Sequence, residues 1–291
     1  MAEYVLGYQR RYTNKSKSMD IKVNKVKTAD LLTKSNLPAS DYVINPYVGC
    51  LHACRYCYAC FMKRFSGHEE AWGYFIDVKQ CDKPINLKKI EGKSVFMSSV
   101  TDCYNPLEKK AFATRAILEQ LKHANCELTI TTKSSLVLRD IDILKECKNV
   151  MVAISINTLD EKFKAEMDRA STIAERINTL KVLHENGIKT VLFMSPIFPE
   201  ITDFKAIVES TKEYVDEYWF ENLNLRGSYK STIIDYIRAT RKHLFDLYVK
   251  IYYKGDESYW NSLEKEVSEY CQKKKISHKI FFHHENIRKN T

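Results

Sequence analysis

Strand-like and helix-like patterns alternate along the middle of the chain. Five short apolar runs predict buried strands, and between them apolar residues recur three or four positions apart, as they do on one face of a helix. Gly187 follows one predicted helix at the position where a C-terminal cap belongs. The predicted strands are 93–99, 127–131, 150–156, 188–194 and 217–221, and the predicted helices are 107–124, 138–147, 171–186 and one that opens at Thr202.

This alternation predicts an α/β fold with a parallel sheet. About five or six strand–helix units fit between residues 40 and 225, which are too few for an eight-stranded closed barrel and fit an open or partial barrel. Residues 1–40 show no sustained pattern and predict an irregular basic arm. After residue 225 the pattern turns helical over 231–254 and 259–275, and a short strand is expected at 279–282. We therefore divide the chain into an arm (1–40), a barrel domain (41–225) and a basic helical C-terminal extension packed on the barrel (226–291).

The composition permits a large core and excludes several classes of protein. The chain has 291 residues, of which 44% are hydrophobic and 29% charged, a balance that argues against global disorder. No apolar run reaches the ~20 residues of a membrane span, and the first residues lack the apolar segment of a secretory signal. No fixed repeat indicates a solenoid, collagen or coiled coil. We expect a cytoplasmic protein that does not contact a membrane.

Positive charge is concentrated at the two ends. The net charge of +9 divides into +5 for residues 1–40, −2 for residues 41–223 and +6 for residues 224–291. Basic ends suit an anionic partner such as nucleic acid. A solvated surface that only maintains solubility explains the same charges, so the alternative stays open.

Four of the nine cysteines lie within residues 50–60. The odd total argues against a disulfide framework and for a reducing compartment. The clustering of four cysteines within a protein of such a compartment indicates a metal or iron–sulfur site. Cys50, Cys54 and Cys57 have C-x3-C-x2-C spacing, and three thiolates would leave one iron of a [4Fe–4S] cluster without a protein ligand, as a catalytic site requires. The alternative is a structural zinc site completed by His52 or Cys60.

This motif, with Tyr56 just before the last cysteine, resembles that of the radical S-adenosylmethionine (radical SAM) enzymes. The resemblance implies a [4Fe–4S] cluster on Cys50, Cys54 and Cys57, S-adenosylmethionine as the second cofactor and a partial (β/α)6 barrel. It also implies an electron donor of the flavodoxin or ferredoxin type. The implied chemistry is abstraction of a hydrogen atom from a substrate.

Five later motifs resemble, in order and spacing, the spore photoproduct lyase-like branch of that superfamily. They are Ser98–Asp102, Thr132-Lys133, Ser155–Asn157, Arg176 and Pro196-Ile197. The resemblance implies that Lys133 and Arg176 bind the methionyl carboxylate and that hydroxyl groups bind the carboxylate or ribose. The cofactor-binding residues implied in this way are Tyr56, Thr101, Lys133, Ser155, Asn157 and Arg176. Residues 221–226 and the helical tail also resemble radical SAM proteins encoded in pairs on mobile elements, which implies a partner radical SAM protein.

The chain departs from the lyase at one catalytic position. In the lyase, a cysteine ahead of the Ser-Asp element returns a hydrogen atom to the product, and a tyrosine after the last cluster cysteine relays it. Tyr58 keeps the tyrosine position, but Ser99 stands at the cysteine position, and a serine O–H bond is too strong for this role. Cys103 is the candidate replacement donor, with core packing as the alternative.

Three functions follow as hypotheses. The first is a radical SAM enzyme acting on nucleic acid or a nucleotide, as the basic ends and the likeness to a DNA-repair lyase suggest. The second is a radical SAM enzyme that modifies a peptide or protein. The third is a non-enzymatic zinc or iron–sulfur protein that serves in interactions.

Overall fold

Two sheets organise the computed structural model, which describes residues 20–37 and 40–282. Most strands predicted from apolar runs are present within one or two residues of their expected ends. The strands are β1 (Lys22–Lys27), β2 (Leu32–Lys34), β3 (Tyr42–Ile44), β4 (Tyr47–Val48), β5 (Phe75–Gln80), β6 (Ser94–Met97), β7 (Glu127–Thr132), β8 (Asn149–Ser155), β9 (Lys189–Ile197), β10 (Glu217–Asn222) and β11 (His278–Ile280).

The larger sheet has eight strands in the order β11-β10-β9-β8-β7-β6-β3-β2. All neighbouring strands are parallel except β2 and β3. In the described part of the chain the sheet has two edges, β2 and β11, and does not close on itself. The predicted α/β class with a parallel sheet is confirmed. Because the strands run the same way, the loops after β3 and β6–β10 meet at one edge of the sheet, where α/β proteins bind their ligands.

Helices connect the parallel strands. The longest helix between β6 and β10 is α6 (Ile173–Glu185), which begins with a reciprocal cap between Thr172 and Glu175, and Gly187 ends it with a φ of +73°. The helices are α1 (Leu87–Ile90), α2 (Glu108–Ala111), α3 (Ala113–Leu121), α4 (Ile141–Leu144), α5 (Glu161–Met167), α6 (Ile173–Glu185), α7 (Phe204–Thr211), α8 (Ser228–Thr240), α9 (Phe245–Tyr252) and α10 (Ser258–Lys274), with 3-10 turns at Tyr58–Phe65, Ser135–Asp140 and Lys242–Leu244.

The N-terminal region differs from the prediction. An irregular arm was expected over residues 1–40, but residues 20–34 contain β1 and β2. β1 pairs in parallel with β5, and β5 pairs with β4 to complete a three-stranded sheet. The sequence of β1, KVNKVK, is mostly exposed, so its lysines conceal the strand pattern. Residues 1–19 of the predicted arm lie outside the described residues.

The C-terminal helices join the main hydrophobic core. Tyr236, Tyr248 and Trp260 are buried in the same cluster as strand residues such as Ile154 and Phe220. The aromatic residues of the tail therefore contribute to packing, and β11 extends the sheet beside β10. The expected helix over 231–254 is interrupted at Arg241, between α8 and α9. Within the described residues, no helix combines the length and apolar character needed to cross a membrane.

Candidate active site at the carboxyl edge of the sheet

The cysteine loop, residues 49–57, follows β4 and packs against the backbone next to β5. At Gly49, where φ is +91°, a Cβ atom would lie 2.5 Å from the carbonyl oxygen of Phe75. At Gly73, where φ is +94°, a Cβ atom would lie 2.5 Å from the Cβ of Ala53. Only glycine permits both close approaches. These two contacts hold the loop at its start and in its middle.

Neighbouring loops also hold the cysteine loop. The carbonyl of His52 accepts a 2.8 Å hydrogen bond from the backbone N–H of Arg169. The Arg55 N–H donates a 2.9 Å bond to the carbonyl of Met167. The hydroxyl of Thr101 donates a 2.6 Å bond to the carbonyl of Gly49. Thr101, which the resemblance assigns to the cofactor, thus supports the residue next to Cys50.

The three motif cysteines lie in this loop, and none of the nine cysteines, all within the described residues, forms a disulfide. Burial raises the pKa of the Cys57 thiol to about 11 and raises the pKa of Cys50 and Cys54 as well. The ammonium group of Lys133 opposes these pKa shifts at Cys54 and Cys57. The positive charge of Lys133 therefore favours the thiolate form of both cysteines.

Asp102 ties the loop after β6 to the end of β7. Its buried carboxylate accepts a 2.7 Å hydrogen bond from the hydroxyl of Thr132 and a 2.9 Å bond from the backbone N–H of Lys133. The Nε2 atom of His52 lies 3.2 Å from the same carboxylate, outside hydrogen-bond alignment. Burial opposes ionisation, but His52 and these hydrogen bonds lower the pKa of Asp102 to about 2. Asp102 thereby fixes the backbone from which Lys133 projects.

Lys133 and Tyr56 lie together at the edge of the site. The Lys133 Nζ atom lies 5.8 Å from the centre of the Tyr56 ring and 3.4 Å from the carbonyl oxygen of Ser195. The Tyr56 hydroxyl lies 3.4 Å from a carboxylate oxygen of Asp168. The structure thus brings these two predicted residues together.

Arg176 is almost completely buried, and each of its three side-chain nitrogen atoms has a partner. Its guanidinium group lies 2.7 Å from Asp168 and donates to the carbonyls of Ser155, at 3.2 Å, and Ser171, at 2.9 Å. Burial opposes ionisation of Asp168, but Arg176, Lys133 and Lys164 together lower its pKa. In this arrangement Arg176 positions the end of β8 rather than presenting an exposed charge.

Ser155 and Asn157 are buried at the carboxyl end of β8. The Asn157 side-chain amide donates a 3.1 Å hydrogen bond to the carbonyl of Pro196. The Asn157 carbonyl accepts a 2.7 Å bond from the hydroxyl of Thr202. Asn157 therefore connects the carboxyl ends of β8 and β9.

Tyr58 and Ser99, the two positions compared with the lyase, are in contact. The Tyr58 hydroxyl donates a hydrogen bond to the Ser99 carbonyl, and Asn45 donates a 2.9 Å bond to the Ser99 hydroxyl. Cys103 has no exposed surface and belongs to the main hydrophobic core. Burial raises the pKa of its thiol. These observations favour the packing role that the sequence left open for Cys103.

Three site residues were not selected from the sequence: Asp168, Trp72 and Glu221. Asp168 joins Tyr56 to Arg176 across more than a hundred residues. Glu221, at the end of β10, accepts a hydrogen bond from the Ser195 hydroxyl. The buried Trp72 indole N–H has no partner with hydrogen-bond geometry. Each residue depends on long-range contacts for its place in the site, so no local motif marks it.

The two proposed fourth zinc ligands do not assemble a mononuclear site. His52 is directed toward Asp102, and within residues 20–37 and 40–282 no group of three or more His, Cys, Asp or Glu side chains is arranged around one metal ion. Three cysteines with C-x3-C-x2-C spacing in one loop suit a larger cluster, in which each sulfur atom binds a different iron. The donor set therefore fits a [4Fe–4S] cluster.

A basic cleft lies beside the cysteine loop. Its volume is about 470 Å³, and its lining includes His52, Lys109, Arg139, Arg169 and Ser171. Lys109 and Arg169 are exposed, whereas Arg139 is engaged by Glu108 and Asp140. The cleft lies at the same edge of the sheet as the cysteine loop and carries a positive charge.

Comparison with known proteins places the chain in a family. The sequence profile of the Radical SAM superfamily matches residues 44–210. The chain therefore belongs to the radical SAM superfamily, whose enzymes use a [4Fe–4S] cluster and S-adenosylmethionine. The predictions of an enzyme and of these two cofactors are confirmed.

Two relatives are themselves uncharacterised. A protein of Methanocaldococcus jannaschii is 41% identical over 210 residues, which cover 72% of this chain and 80% of the relative. A protein of Acidianus two-tailed virus is 34% identical over 211 residues, which cover 65% of this chain and 69% of the relative. A viral relative agrees with the resemblance to proteins of mobile elements.

Among solved structures, the fold is similar to that of spore photoproduct lyase. A mutant of that enzyme with bound AdoMet and dinucleoside spore photoproduct superposes with a TM-score of 0.57 at 17% sequence identity. The match covers 76% of this chain and 66% of the lyase, slightly less than two thirds of the lyase. The predicted likeness to the lyase branch is confirmed for the fold.

Proposed function

We propose that this enzyme holds its cluster through Cys50, Cys54 and Cys57 and seats S-adenosylmethionine beside Lys133, in order to abstract hydrogen from an anionic substrate. The observation that carries this proposal is the position of Lys133, whose Nζ atom lies 5.8 Å from the centre of the ring of Tyr56, the residue before Cys57 in the cysteine loop. A cation beside the cysteine loop is placed to bind the carboxylate of a cofactor that chelates the open iron.

Together, the two bound cofactors supply a 5′-deoxyadenosyl radical that removes a hydrogen atom from the substrate. The protein contributes binding, orientation and exclusion of water. Lys133 pairs with the methionyl carboxylate, and the buried Ser155 offers a hydroxyl at the end of the neighbouring strand. Tyr56 closes the site beside Lys133 and offers backbone contacts to the adenine. Thr101, Asn157 and Arg176 hold the loop and strand ends around the cofactor.

We infer a partial barrel as the framework of this site. Six successive parallel strands, β3 and β6–β10, have the order of a (β/α)6 unit, and α8–α10 form the C-terminal extension against it. A partial barrel leaves the carboxyl ends of its strands around one open mouth. Of the residues assigned above, Thr101 follows β6, Lys133 follows β7, and Ser155 and Asn157 lie at the end of β8, as such a mouth requires.

The substrate class proposed is nucleic acid or a nucleotide. The exposed Lys109 and Arg169 line the cleft beside the cysteine loop, where they are placed to bind phosphate groups. A solved lyase of similar fold was crystallised with a dinucleoside photoproduct, which supports the same class. A peptide substrate is the competing outcome.

The chemistry requires a source of single electrons. We propose a flavodoxin or ferredoxin type donor and, from the resemblance to paired proteins of mobile elements, a second radical SAM protein as a partner. Cysteines outside disulfides must stay reduced to load a cluster, so a reducing cytoplasm is the proposed location.

Iron content tests the proposed ligand set. After anaerobic reconstitution, Cys54→Ala should lose most of the about four irons per chain expected for one cluster, because two thiolates leave two corners of the cluster without a protein ligand. Cys60→Ala is the matched control in the same region and should keep the iron content of the wild-type protein. Equal iron loss in both variants would show that the ligand set is wrong.

A further inference from the structure

The 3-10 turn Tyr58–Phe65 begins directly after Cys57 and carries exposed aromatic side chains. In the described part of the chain, 52% of Tyr58, 40% of Phe61 and 69% of Phe65 are exposed. Single exposed rings are common on protein surfaces, but three on one short element form a patch, and such patches mark interaction sites. The turn is therefore a candidate binding surface next to the cysteine loop.

The helical period places a cation on the same side as the rings. A 3-10 helix has three residues per turn, so side chains three positions apart lie one above another. Tyr58, Phe61 and Arg64 therefore share one side of the turn. The guanidinium carbon of the exposed Arg64 lies 5.4 Å from the centre of the Phe61 ring and 4.8 Å from that of Phe65. The turn thus presents two rings and a planar cation together to solvent.

The inner end of this surface lies within the site. The Tyr58 hydroxyl donates a hydrogen bond to the Ser99 carbonyl in the loop after β6, at the carboxyl edge of the sheet. Phe61 follows Cys57 by four residues, so its Cα lies within about 14 Å of the Cα of that cysteine. A molecule bound on the turn can therefore reach the cysteine loop.

The charge of this region suits an anionic partner. Residues 42–68 contain Arg55, Lys63 and Arg64 but no Asp or Glu. Aromatic rings among cations suit single-stranded nucleic acid, because unpaired bases stack on the rings while the phosphates meet the cations. In a duplex the bases are already stacked on one another, so their faces are not free to contact the rings.

We propose that the exposed face formed by Phe61, Arg64 and Phe65 binds single-stranded nucleic acid. Bases stack on the two phenyl rings, and the Arg64 guanidinium pairs with a backbone phosphate. This inference rests on the proposed function and narrows its substrate class to single strands or unpaired segments. Lys109 and Arg169 line the cleft at the same edge of the sheet, so the cleft contacts phosphates while the turn contacts bases.

Binding of fluorescein-labelled oligothymidylate to the anaerobically reconstituted enzyme tests this face by fluorescence anisotropy. Phe65→Ala should raise the dissociation constant about 5- to 150-fold, as expected for one lost base–aromatic contact. Phe65→Leu keeps apolar surface but has no ring, and it should also weaken binding. Phe65→Tyr keeps the ring and should bind as the wild-type enzyme does.

Two controls isolate the stacking contact. Tyr270→Ala removes a ring of α10 that lies 5.9 Å from the ammonium groups of both Lys205 and Lys274, outside the proposed face, and it should leave oligothymidylate binding unchanged. The duplex of oligothymidylate with oligodeoxyadenylate should bind the wild-type enzyme more weakly than the single strand does. Its binding should not respond to Phe65→Ala, because a duplex offers the ring no free base.

A second measurement needs only the wild-type enzyme. A single strand that carries 5-iodouracil should cross-link on irradiation to peptides from residues 58–65, which mass spectrometry identifies. An unchanged dissociation constant in Phe65→Ala, or cross-links only to other peptides, overturns the proposal. If Phe65→Ala slows reduction of the cluster by reduced flavodoxin but leaves oligothymidylate binding unchanged, the face docks the electron donor and the proposal fails. If the loaded wild-type enzyme binds neither oligonucleotide at low salt, the nucleic-acid substrate class itself is refuted, so failure of the proposed function is distinguishable from failure of this inference.

Discussion

Lys133 and Arg176 are both cationic residues of the site, but their contacts differ. Arg176 has a 2.7 Å ion pair with Asp168 and two hydrogen bonds to carbonyls. Lys133 has a long, 3.4 Å hydrogen bond to the Ser195 carbonyl and lies 5.8 Å from the centre of the Tyr56 ring, and its charge also acts on Asp168. A long bond is weak, so the ammonium group of Lys133 can exchange it for a carboxylate. At the residue scale, we therefore propose Lys133, rather than Arg176, as the cation that binds the cofactor.

Replacement of Lys133 tests this assignment. A charge-assisted contact contributes about 1.5–3 kcal/mol, so Lys133→Ala should weaken S-adenosylmethionine binding about 10- to 150-fold. Isothermal titration on the reconstituted enzyme measures the change, and the iron content should stay at the wild-type level. Lys109→Ala, which removes an exposed lysine elsewhere on the same edge, is the control. A dissociation constant unchanged by Lys133→Ala would remove this residue from the site.

Single residues were predictable from sequence only where a local motif marks them. The spacing of Cys50, Cys54 and Cys57 and the Thr132-Lys133 pair are such motifs. Asp168 was missed because its partners Tyr56 and Arg176 come from different segments of the chain. The position of Cys103 in the core also depends on tertiary packing, so the sequence left its role open between hydrogen donor and core packing.

At the scale of elements, the cysteine loop is shaped by the segment before β5. That segment brings Gly73 against Ala53, and the contact leaves no room for a side chain. The strand–helix units were predictable because apolar periodicity reports buried faces. The small sheet was not, because β1 is exposed and rich in lysine. The element that supports the loop was therefore hidden from sequence analysis.

Gly73→Ala should disturb the cysteine loop and reduce cluster loading. The new Cβ would lie 2.9 Å from the backbone Cα of Ala53, so the loop itself must move. Gly67→Ala is the matched control, since Gly67 has a φ of +70° but nothing within 4 Å of the added Cβ. Both variants incur roughly 1–2 kcal/mol of left-handed backbone strain, but only Gly73→Ala should lose iron. Iron content after reconstitution measures the difference, and equal loading of the two variants would contradict it.

At the scale of the whole molecule, basic charge lies at both edges of the large sheet. Lys273 and Lys274 end α10, and Lys275 follows, just before the start of β11, which pairs with the start of β10. These lysines therefore lie at the amino edge, and Lys274 is already paired with Glu209 at 3.1 Å. Lys109 and Arg169 lie at the carboxyl edge beside the cysteine loop. We therefore propose that the second group, rather than the first, binds the phosphates of a substrate.

Salt dependence distinguishes the two basic regions. The association constant for a single-stranded oligonucleotide should fall steeply with salt. A plot of its logarithm against the logarithm of the salt concentration should have a slope of about −0.7 for each phosphate contact. Reversal of charge at both Lys109 and Arg169 should flatten that slope, and the same reversal at Lys273, Lys274 and Lys275 should leave it near the wild-type value. Fluorescence anisotropy over a salt series measures both. The opposite pattern would refute a nucleic-acid site in the cleft, and no binding at low salt would favour a peptide substrate.

We propose that this enzyme uses a cluster on its three motif cysteines to cleave S-adenosylmethionine reductively. Release of 5′-deoxyadenosine from S-adenosylmethionine by anaerobically reconstituted enzyme with dithionite measures this reaction. Wild-type enzyme and Cys60→Ala should release it, and Cys54→Ala should release none above background. A fully loaded wild-type enzyme that releases no 5′-deoxyadenosine, or a Cys54→Ala variant that releases as much as wild type, would contradict it.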